Sequence, residues 1–334
     1  MSITIKDIAA IAGVSTATVS KVLNGKDKDI SQATREKVLK ITKEYNYVPN
    51  NVARSLVTKR TKTIGLIIPD ITNPFFPEIA RGAEDKAQEK GYSIIFCNTD
   101  DDIEKENKNI NMLVEKMVDG IVLAASAKEE LNIERSRYNS IPLVLVDRDS
   151  NLEGINGKVF VNNISGAYQA VSYLLENNYK NILFLSGPLS TIPSKDRLKG
   201  YKKALKEKRI DYNNELVIEG EYKYSWGYEI GKKVLDSKIK FDSVFCGNDL
   251  IAFGVMKSFK DRGLNIPKDI GIVGYDDIYM SRLVEPTLTT VKQPNYQMGY
   301  RAVEILINII EGKEKIDKDI VLETKLIIRK STKV

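Results

Sequence analysis

One apolar run after another in this 334-residue chain ends in the same class of residue. TIGLIIP leads into Asp70 and Asn73-Pro74-Phe75-Phe76, and PLVLV into Asp147-Arg148. SVFCG leads into Asn248-Asp249, GIVGY into Asp276 and TTVK into Gln293, while NILFLSG is followed after a loop by Arg197. Carboxylates accept hydrogen bonds, guanidinium groups donate them in a rigid fork, and primary amides do both. Beside aromatic faces, that inventory suits a polyhydroxylated ligand with apolar ring surfaces. Each residue alone has a plainer role, because Asp and Asn also cap helices that follow strands. That role weighs most for Asp70 and evenly for Asp249. The repetition of one chemistry at successive run ends is what points to a binding cleft. The chain contains no histidine, the commonest general base and a common metal ligand, which weighs against hydrolases and metalloenzymes. No cofactor and no metal are expected, and no G-x-G-x-x-G opens a helix after the first run, against a nucleotide-dependent oxidoreductase.

The elements that must position these residues alternate. Continuous apolar runs read as strands buried on both faces: TIGLIIPD, then YSIIFC, GIVLAA and PLVLVD, separated by helices over roughly 75–90 and 103–118 and a third helical segment. A second series begins near Lys180 with NILFLSG. It continues through helices over about 195–208 and 226–235, SVFCGND, a helix over 250–262, GIVGYDD and TLTTVKQP. A helix over 298–310 and one last strand near 320–328 close it. Such alternation predicts parallel sheets covered by helices on both faces, in two consecutive lobes. Ligands of these sheets bind outside the carboxyl ends of the strands, which is where the polar residues fall.

The first sixty residues have another texture. In TIKDIAAIAGVSTATVSKVLNG, Thr4 and Asp7 form a capping-box-like pair, and Ile5, Ile8, Ala9 and Ala12 make one apolar stripe. Gly13 supplies a turn with positive φ, and Ser15 caps a second helix. On that helix Val19, Val22 and Leu23 point inward, while Thr16, Ala17, Ser20 and Lys21 form a small, polar, basic outer stripe. A helix presenting such a stripe from its first turns fits a major groove. A third helix follows Ser31, with Val38, Ile41 and Tyr45 as its inner face. Pro49 ends it, and NVARSL, capped by Asn50, reads as a short hinge helix that folds only against a partner surface, or as a plain basic linker.

Charge follows the same division. Residues 1–60 carry 11 Lys/Arg against 5 Asp/Glu, whereas the rest carries 40 of each, so the whole net charge of +6 sits in the head. A localised basic excess is the footprint of phosphate-backbone binding. The apolar fraction of 42% is enough for substantial cores. Cys97 and Cys246 end strand-like runs and are expected to be reduced. No apolar run reaches the ~18 residues that span a membrane, and the N-terminus reads as a capped helix and not as a signal peptide. These features predict a cytoplasmic protein with no membrane partner.

TIKDIAAIAGVSTATVSKVLNG and YVPNNVARSL resemble the DNA-binding head and hinge of the LacI/GalR family of transcriptional regulators. GLIIPDITNPFFPEIARGAED, LVDRD, GND and GYDDI resemble its effector core, which is similar to periplasmic sugar-binding proteins. The resemblance covers essentially the whole chain. It implies an α/β fold class: an N-terminal all-α helix-turn-helix head plus a two-lobed periplasmic-binding-protein-like core with parallel sheets. The implied domains are a head over 1–48, a hinge and linker over 49–61, and an effector-binding and dimerisation core over 62–334. Lobe 1 takes about 62–161 and 293–320, lobe 2 about 162–292 and 321–334. Implied DNA contacts come from Thr4, Ser15, Thr16, Ala17, Thr18, Ser20, Lys21 and Asn24, with Asn50 and Ala53 in the hinge and Leu56 as a minor-groove wedge. Phe75, Phe76, Asp147, Arg148, Arg197, Tyr222, Asn248, Asp276 and Gln293 are implied to line the effector cleft. That set is most similar to ribose-binding proteins and, within the family, to ribose operon repressors. Asn162-Asn163 departs from the family's usual Asp-Asn.

The implied protein is no enzyme. It is a repressor of a sugar-utilisation operon, acting as a homodimer on a pseudo-palindromic double-stranded DNA operator under a small sugar effector. The chain ends soon after its last strand, which implies a dimer without a tetramerising coiled coil. The same regulator responding to a sugar phosphate or to a protein co-effector is the alternative. A secreted sugar-binding protein would account for the lobes but not for residues 1–60.

Overall fold

The computed structural model describes residues 3–48, 60–126, 141–149, 154–313 and 317–333. The expected hinge helix with Asn50, Ala53 and Leu56, and the expected third helical segment after GIVLAA, lie outside the described residues. The chain divides into two compact units, Met1–Thr61 and Lys62–Val334.

Among the described residues the first unit has three helices, α1 (Ile5–Ala12), α2 (Thr16–Leu23) and α3 (Gln32–Glu44). Thr4 and Asp7 form a complete capping box, and Gly13 ends α1 with a φ of 67°. Ile8, Ala9, Ala12, Val19, Val22, Val38 and Ile41 form the core of this unit, with Ile5 and Leu23 packed at its margin. Tyr45 does not join them: it is exposed, and Tyr47 packs against the cluster instead. Tyr45 falls after the last helical turn, so the 3.6-residue period no longer sets its direction.

The second unit contains two six-stranded sheets. Sheet 1 is built from β1 (Thr63–Ile68), β2 (Ser93–Asn98), β3 (Gly120–Leu123), β4 (Leu143–Val146), β5 (Gly157–Val161) and β11 (Asp319–Leu322), in the order β11-β5-β4-β3-β1-β2 and parallel throughout. Its helices are α4 (Phe75–Glu89) and α5 (Ile103–Glu115). After β5 come α6 (Asn163–Glu176), β6 (Ile182–Ser186), α7 (Ile192–Glu207), β7 (Val217–Glu219), α8 (Tyr224–Asp236), β8 (Ser243–Cys246), α9 (Asp249–Asp261), β9 (Gly271–Asp276), β10 (Thr289–Lys292), α10 (Asn295–Ile310) and finally β12 (Lys325–Ile327). Sheet 2 runs β12-β10-β9-β8-β6-β7. The single last strand expected near 320–328 is two strands. One pairs in parallel with β5, and the other pairs antiparallel with β10 in the other sheet. The chain therefore passes between the sheets after β5, after β10 and between β11 and β12. Cys97 and Cys246 are buried free thiols on strands.

The second crossing is locked by backbone contact between helices α4 and α10. A Cβ at Gly82 would sit 1.9 Å from the Tyr296 carbonyl oxygen, and one at Gly299 would sit 1.8 Å from that of Ile79. Glycine at both positions lets the helices touch main chain to main chain. In sheet 2, the buried Asp249 braces the strand ends. It accepts hydrogen bonds from Ile278 N (3.0 Å), Ser281 Oγ (2.6 Å) and Thr290 Oγ1 (2.5 Å), tying the start of α9 to the segments after β9 and in β10. Asp249 is thus a structural strut, and Asp70 folds back on Thr72 N (2.8 Å) in a local turn.

Gly299→Ala is expected to destabilise the second unit by ~1–3 kcal/mol, as overpacked cores do, read as a lowered Tm with the head's helicity unchanged. Burial raises the Asp249 carboxyl to about 7, against the opposing pull of its hydrogen bonds. An acid whose folded pKa lies above its unfolded value binds its proton more tightly in the folded state. Its contribution is therefore complete below the unfolded pKa near ~4 and is lost as pH rises through the folded value. Tm is expected to fall between pH 5 and pH 8, and Asp249→Asn, which imitates the protonated form, should flatten that fall.

Candidate ligand cleft and nucleic-acid interface

Phe75, Phe76, Asp147, Arg148, Arg197, Tyr222, Asn248, Asp276 and Gln293 all line one cavity, together with Asn73 and Pro193. The fold brings them there by one rule. β1 delivers Asn73 and the phenylalanines that open α4, β4 delivers Asp147-Arg148, β8 delivers Asn248, β9 delivers Asp276 and β10 delivers Gln293. Arg197 projects from the second turn of α7. Phe75 and Phe76 meet edge to face at 5.0 Å, an orientation that turns their rings to different walls. Asn73 Oδ1 accepts from Phe75 N (3.1 Å) in a local turn before α4, and Asn248 caps α9, its Oδ1 accepting from Ile251 N (2.9 Å). The cleft is partly open to solvent, and about 30 Å³ of it admits the centre of a water-sized group.

Both arginines are buried and multiply held. Arg197 Nε donates to Asn163 Oδ1 (2.9 Å) and Nη1 to the Gly247 carbonyl (2.5 Å), and its guanidinium lies 3.8 Å from the Tyr275 ring centre. Arg148 Nη1 donates to Asp101 Oδ1 (2.5 Å) and to the Ala125 carbonyl (3.3 Å), and Nη2 to Asp101 Oδ2 (3.5 Å). Burial works against each charge. The carboxylates of Asp101 and Asp147 outweigh it at Arg148; at Arg197, Tyr222, Tyr275, Asp276 and Asp147 do so. Burial likewise raises the carboxyls of Asp147 and Asp276, with the arginines opposing it. Gln293 Nε2 donates to Asp276 Oδ1 at 2.7 Å. Tyr222 OH lies 2.6 Å from Ser194 Oγ. Among the described residues, Asp147 Oδ1 and Gln293 Oε1 are buried without a hydrogen-bond partner. Asp147 and Asp276 hold positive φ, 65° and 117°, backbone that non-glycine residues adopt uncommonly.

Asp101, Asn163 and Tyr275 were not among the expected cleft residues. They orient the arginines from behind, and the only sequence signal for them was adjacency: Asp101 lies in an acidic run, Asn163 after the crossing, and Tyr275 inside an apolar run. Asn162 caps α6 through Ser165 N at 3.0 Å.

In the head, the outer stripe of α2 lies where the helical period placed it, with Thr16, Ala17 and Lys21 exposed and Ser20 half-buried. Several of the expected DNA contacts also hold the helices themselves. Ser15 accepts from Thr18 N (3.1 Å) and shares a hydroxyl contact with Thr18 Oγ1 (2.9 Å). Asn24 Nδ2 donates to the Ser20 carbonyl (2.7 Å), and the Thr4 hydroxyl to Asp7 Oδ2 (2.7 Å). Lys21 is paired with Asp29, both well exposed. No helix among the described residues is long and apolar enough to cross a membrane, and among them no side-chain cluster of metal-ligating type appears.

Residues 4–50 match the model of bacterial regulatory proteins of the lacI family. Residues 61–330 match that of periplasmic binding proteins and the sugar-binding domain of the LacI family. The chain is 41% identical to the HTH-type transcriptional regulator RegA of Clostridium saccharobutylicum, over 99% of this chain and all of that one. The lac repressor dimer bound to operator and the anti-inducer ONPF superposes with a TM-score of 0.88 at 27% identity, over 99% of both chains. A LacI family transcriptional regulator from Enterococcus faecium with bound ribose superposes with a TM-score of 0.72 at 31% identity, over 81% of this chain and 98% of that one. A helix-turn-helix head, a cleft at the carboxyl ends of two parallel sheets and matches along nearly the whole length agree: the chain belongs to the LacI family and is a DNA-binding transcriptional regulator.

Proposed function

We propose that the protein represses a sugar-utilisation operon and that a neutral sugar in the cleft, a pentose such as ribose first, controls its hold on DNA. The carrying observation is the pair of buried acceptors without donors, Asp147 Oδ1 and Gln293 Oε1. Leaving such atoms unmatched costs ~1–3 kcal/mol each, and a sugar hydroxyl supplies the missing O–H. A phosphate dianion brings further acceptors and meets Asp147 and Asp276. The aromatic walls of Phe75, Phe76 and Tyr222 suit apolar ring faces, and the bound ribose of the Enterococcus faecium regulator supports the same class of ligand.

Control follows from what the cleft residues also hold: Arg148 and Arg197 tie together the ends of separate elements, so a sugar that exchanges hydrogen bonds with them favours one arrangement of those ends over another. It shifts the DNA-binding equilibrium only by its differential affinity for the two arrangements. In this reading residues 1–48 bind the operator, 49–61 form the hinge with Asn50, Ala53 and the wedging Leu56, and the core over 62–334 dimerises. The dimer places two heads on a pseudo-palindrome. Thr16, Ala17 and Lys21 face the bases, and Lys21 exchanges Asp29 for DNA at small cost, since exposed ion pairs are worth ~0–1 kcal/mol.

Operator affinity should fall steeply with salt, as expected when the basic excess of the head displaces counterions, and Lys21→Ala should weaken specific binding and relax selectivity at one base step per half-site. Equal affinity at 50 and 200 mM salt would contradict this role. Arg197→Ala removes the donor that Asn163, Gly247 and Tyr275 hold in place. Calorimetry should show loss of sugar binding, with operator affinity retained in a gel-shift assay. Tight binding of sugar phosphates with no heat from any free sugar would overturn the neutral-sugar assignment.

A further inference from the structure

We propose that Asp101 sets the specificity of the cleft for uncharged ligands by occupying one edge of the Arg148 fork. The inference rests on the cleft being the sugar site proposed above. Asp101 belongs to the run Asp100-Asp101-Asp102, and each carboxylate has a separate task. Asp100 pairs with Lys105 (2.5 Å), and Asp102 caps α5 through Glu104 N (2.8 Å) and Lys105 N (3.1 Å). Asp101 alone of the three takes Arg148, in a two-oxygen grip. The loop is held for it: Asp100 and Asp101 have φ of 54° and 57°, consecutive left-handed residues that cost strain. Asp101 N donates to the Pro69 carbonyl at 3.1 Å, which anchors the turn to the end of β1.

A guanidinium has five N–H groups. Asp101 takes two of those on Arg148 and the Ala125 carbonyl takes a third. The remaining edge faces Asp147, whose Oδ2 lies 3.9 Å from Nε. Of the two planar two-oxygen seats that a guanidinium offers to a phosphate or carboxylate, the one across Nη1 and Nη2 is filled by a carboxylate of the protein itself, and the other faces Asp147. Charge points the same way. Among the described residues, Asp101, Asp147 and Asp276 face Arg148 and Arg197, so carboxylates outnumber guanidinium groups. Glu106 is a further carboxyl behind Asp101, fully buried, with Oε2 bound to Ser126 N (2.7 Å) and Oγ (2.7 Å). An anionic ligand must either displace Asp101, whose side chain is 40% exposed, or take the edge beside Asp147, and both routes set it against a carboxylate. A neutral sugar need not displace Asp101. Removing the Asp101 charge frees the fork and takes one negative charge from the site.

The test uses the full-length chain and its Asp101→Asn and Asp101→Glu variants, with D-ribose, D-glucose, ribose 5-phosphate and glucose 6-phosphate as calorimetric probes. Asn tolerates left-handed backbone best after glycine, so Asp101→Asn keeps the turn, and a Tm within a few degrees of wild type verifies folding. The preference for free sugar over its phosphate is expected to fall at least tenfold in Asp101→Asn and to be restored toward wild type in Asp101→Glu. An unchanged preference in a folded Asp101→Asn variant that still binds the free sugar overturns the role of Asp101 and leaves the sugar site standing. Should Asp101→Asn not fold, Asp101→Gly, which removes the charge and meets no strain at positive φ, takes its place: a preference lowered tenfold supports the proposal, and an unchanged preference overturns it. Wild-type protein that takes up the phosphates in preference, or none of the four probes, overturns both readings.

Discussion

The cleft depends on the cost of burying two guanidinium groups. A buried cation is tolerated only when its donors are matched and a counter-charge stands nearby. Arg197 meets that demand by gathering Asn163 from the first turn after one crossing, the Gly247 carbonyl from the end of β8 and the face of Tyr275 from β9. Arg148 does the same with Asp101 and the Ala125 carbonyl. Each arginine therefore locks the ends of elements that the sheets alone leave independent. The acidic strand-end residues, with raised carboxyls at Asp147 and Asp276, are the other half of this balance. In the proposed reading, a ligand entering the cleft exchanges hydrogen bonds that also hold the strand ends, which would couple occupancy to their arrangement.

The alternation of strand and helix was legible because parallel strands covered on both faces read as unbroken apolar runs. Most of the cleft residues were legible for the same reason, since the run ends mark the carboxyl edge of each sheet; Arg197 lies within a helix, and Tyr222, after a strand with no apolar run, was implied only by the resemblance. What escaped follows from the same physics. β5, GKVFV, lies near the edge of its sheet and alternates in burial, so it lacks an apolar run. β7 is a short edge strand, half exposed. β11 and β12 are separated only by Glu323 and Thr324, and no local pattern tells one bent strand from two strands in different sheets. Asp101 and Asn163 escaped because a residue that orients another from behind needs only to be near it in space.

The head shows a different economy. Its eight-residue helices are too short to hold alone, so side chains at the expected DNA surface also serve the fold: Thr4, Ser15 and Asn24 cap helix ends, and Thr18 bonds to Ser15. The exposed remainder, Thr16, Ala17 and Lys21, is small or flexible, which lets α2 approach a groove closely. The neutral overall charge of residues 61–334 leaves DNA attraction to the head, so the core can change arrangement without carrying a competing DNA-binding charge.

The central claim is that a neutral sugar and the operator are coupled through this one chain. The most direct measurement is fluorescence anisotropy of the full-length protein on a labelled pseudo-palindromic duplex, selected in vitro for binding, titrated with free pentoses and hexoses. The account predicts that at least one neutral sugar changes operator affinity tenfold or more and that this change disappears when Arg197 is replaced by alanine. Operator affinity indifferent to every neutral sugar, with a response to sugar phosphates alone, would contradict it.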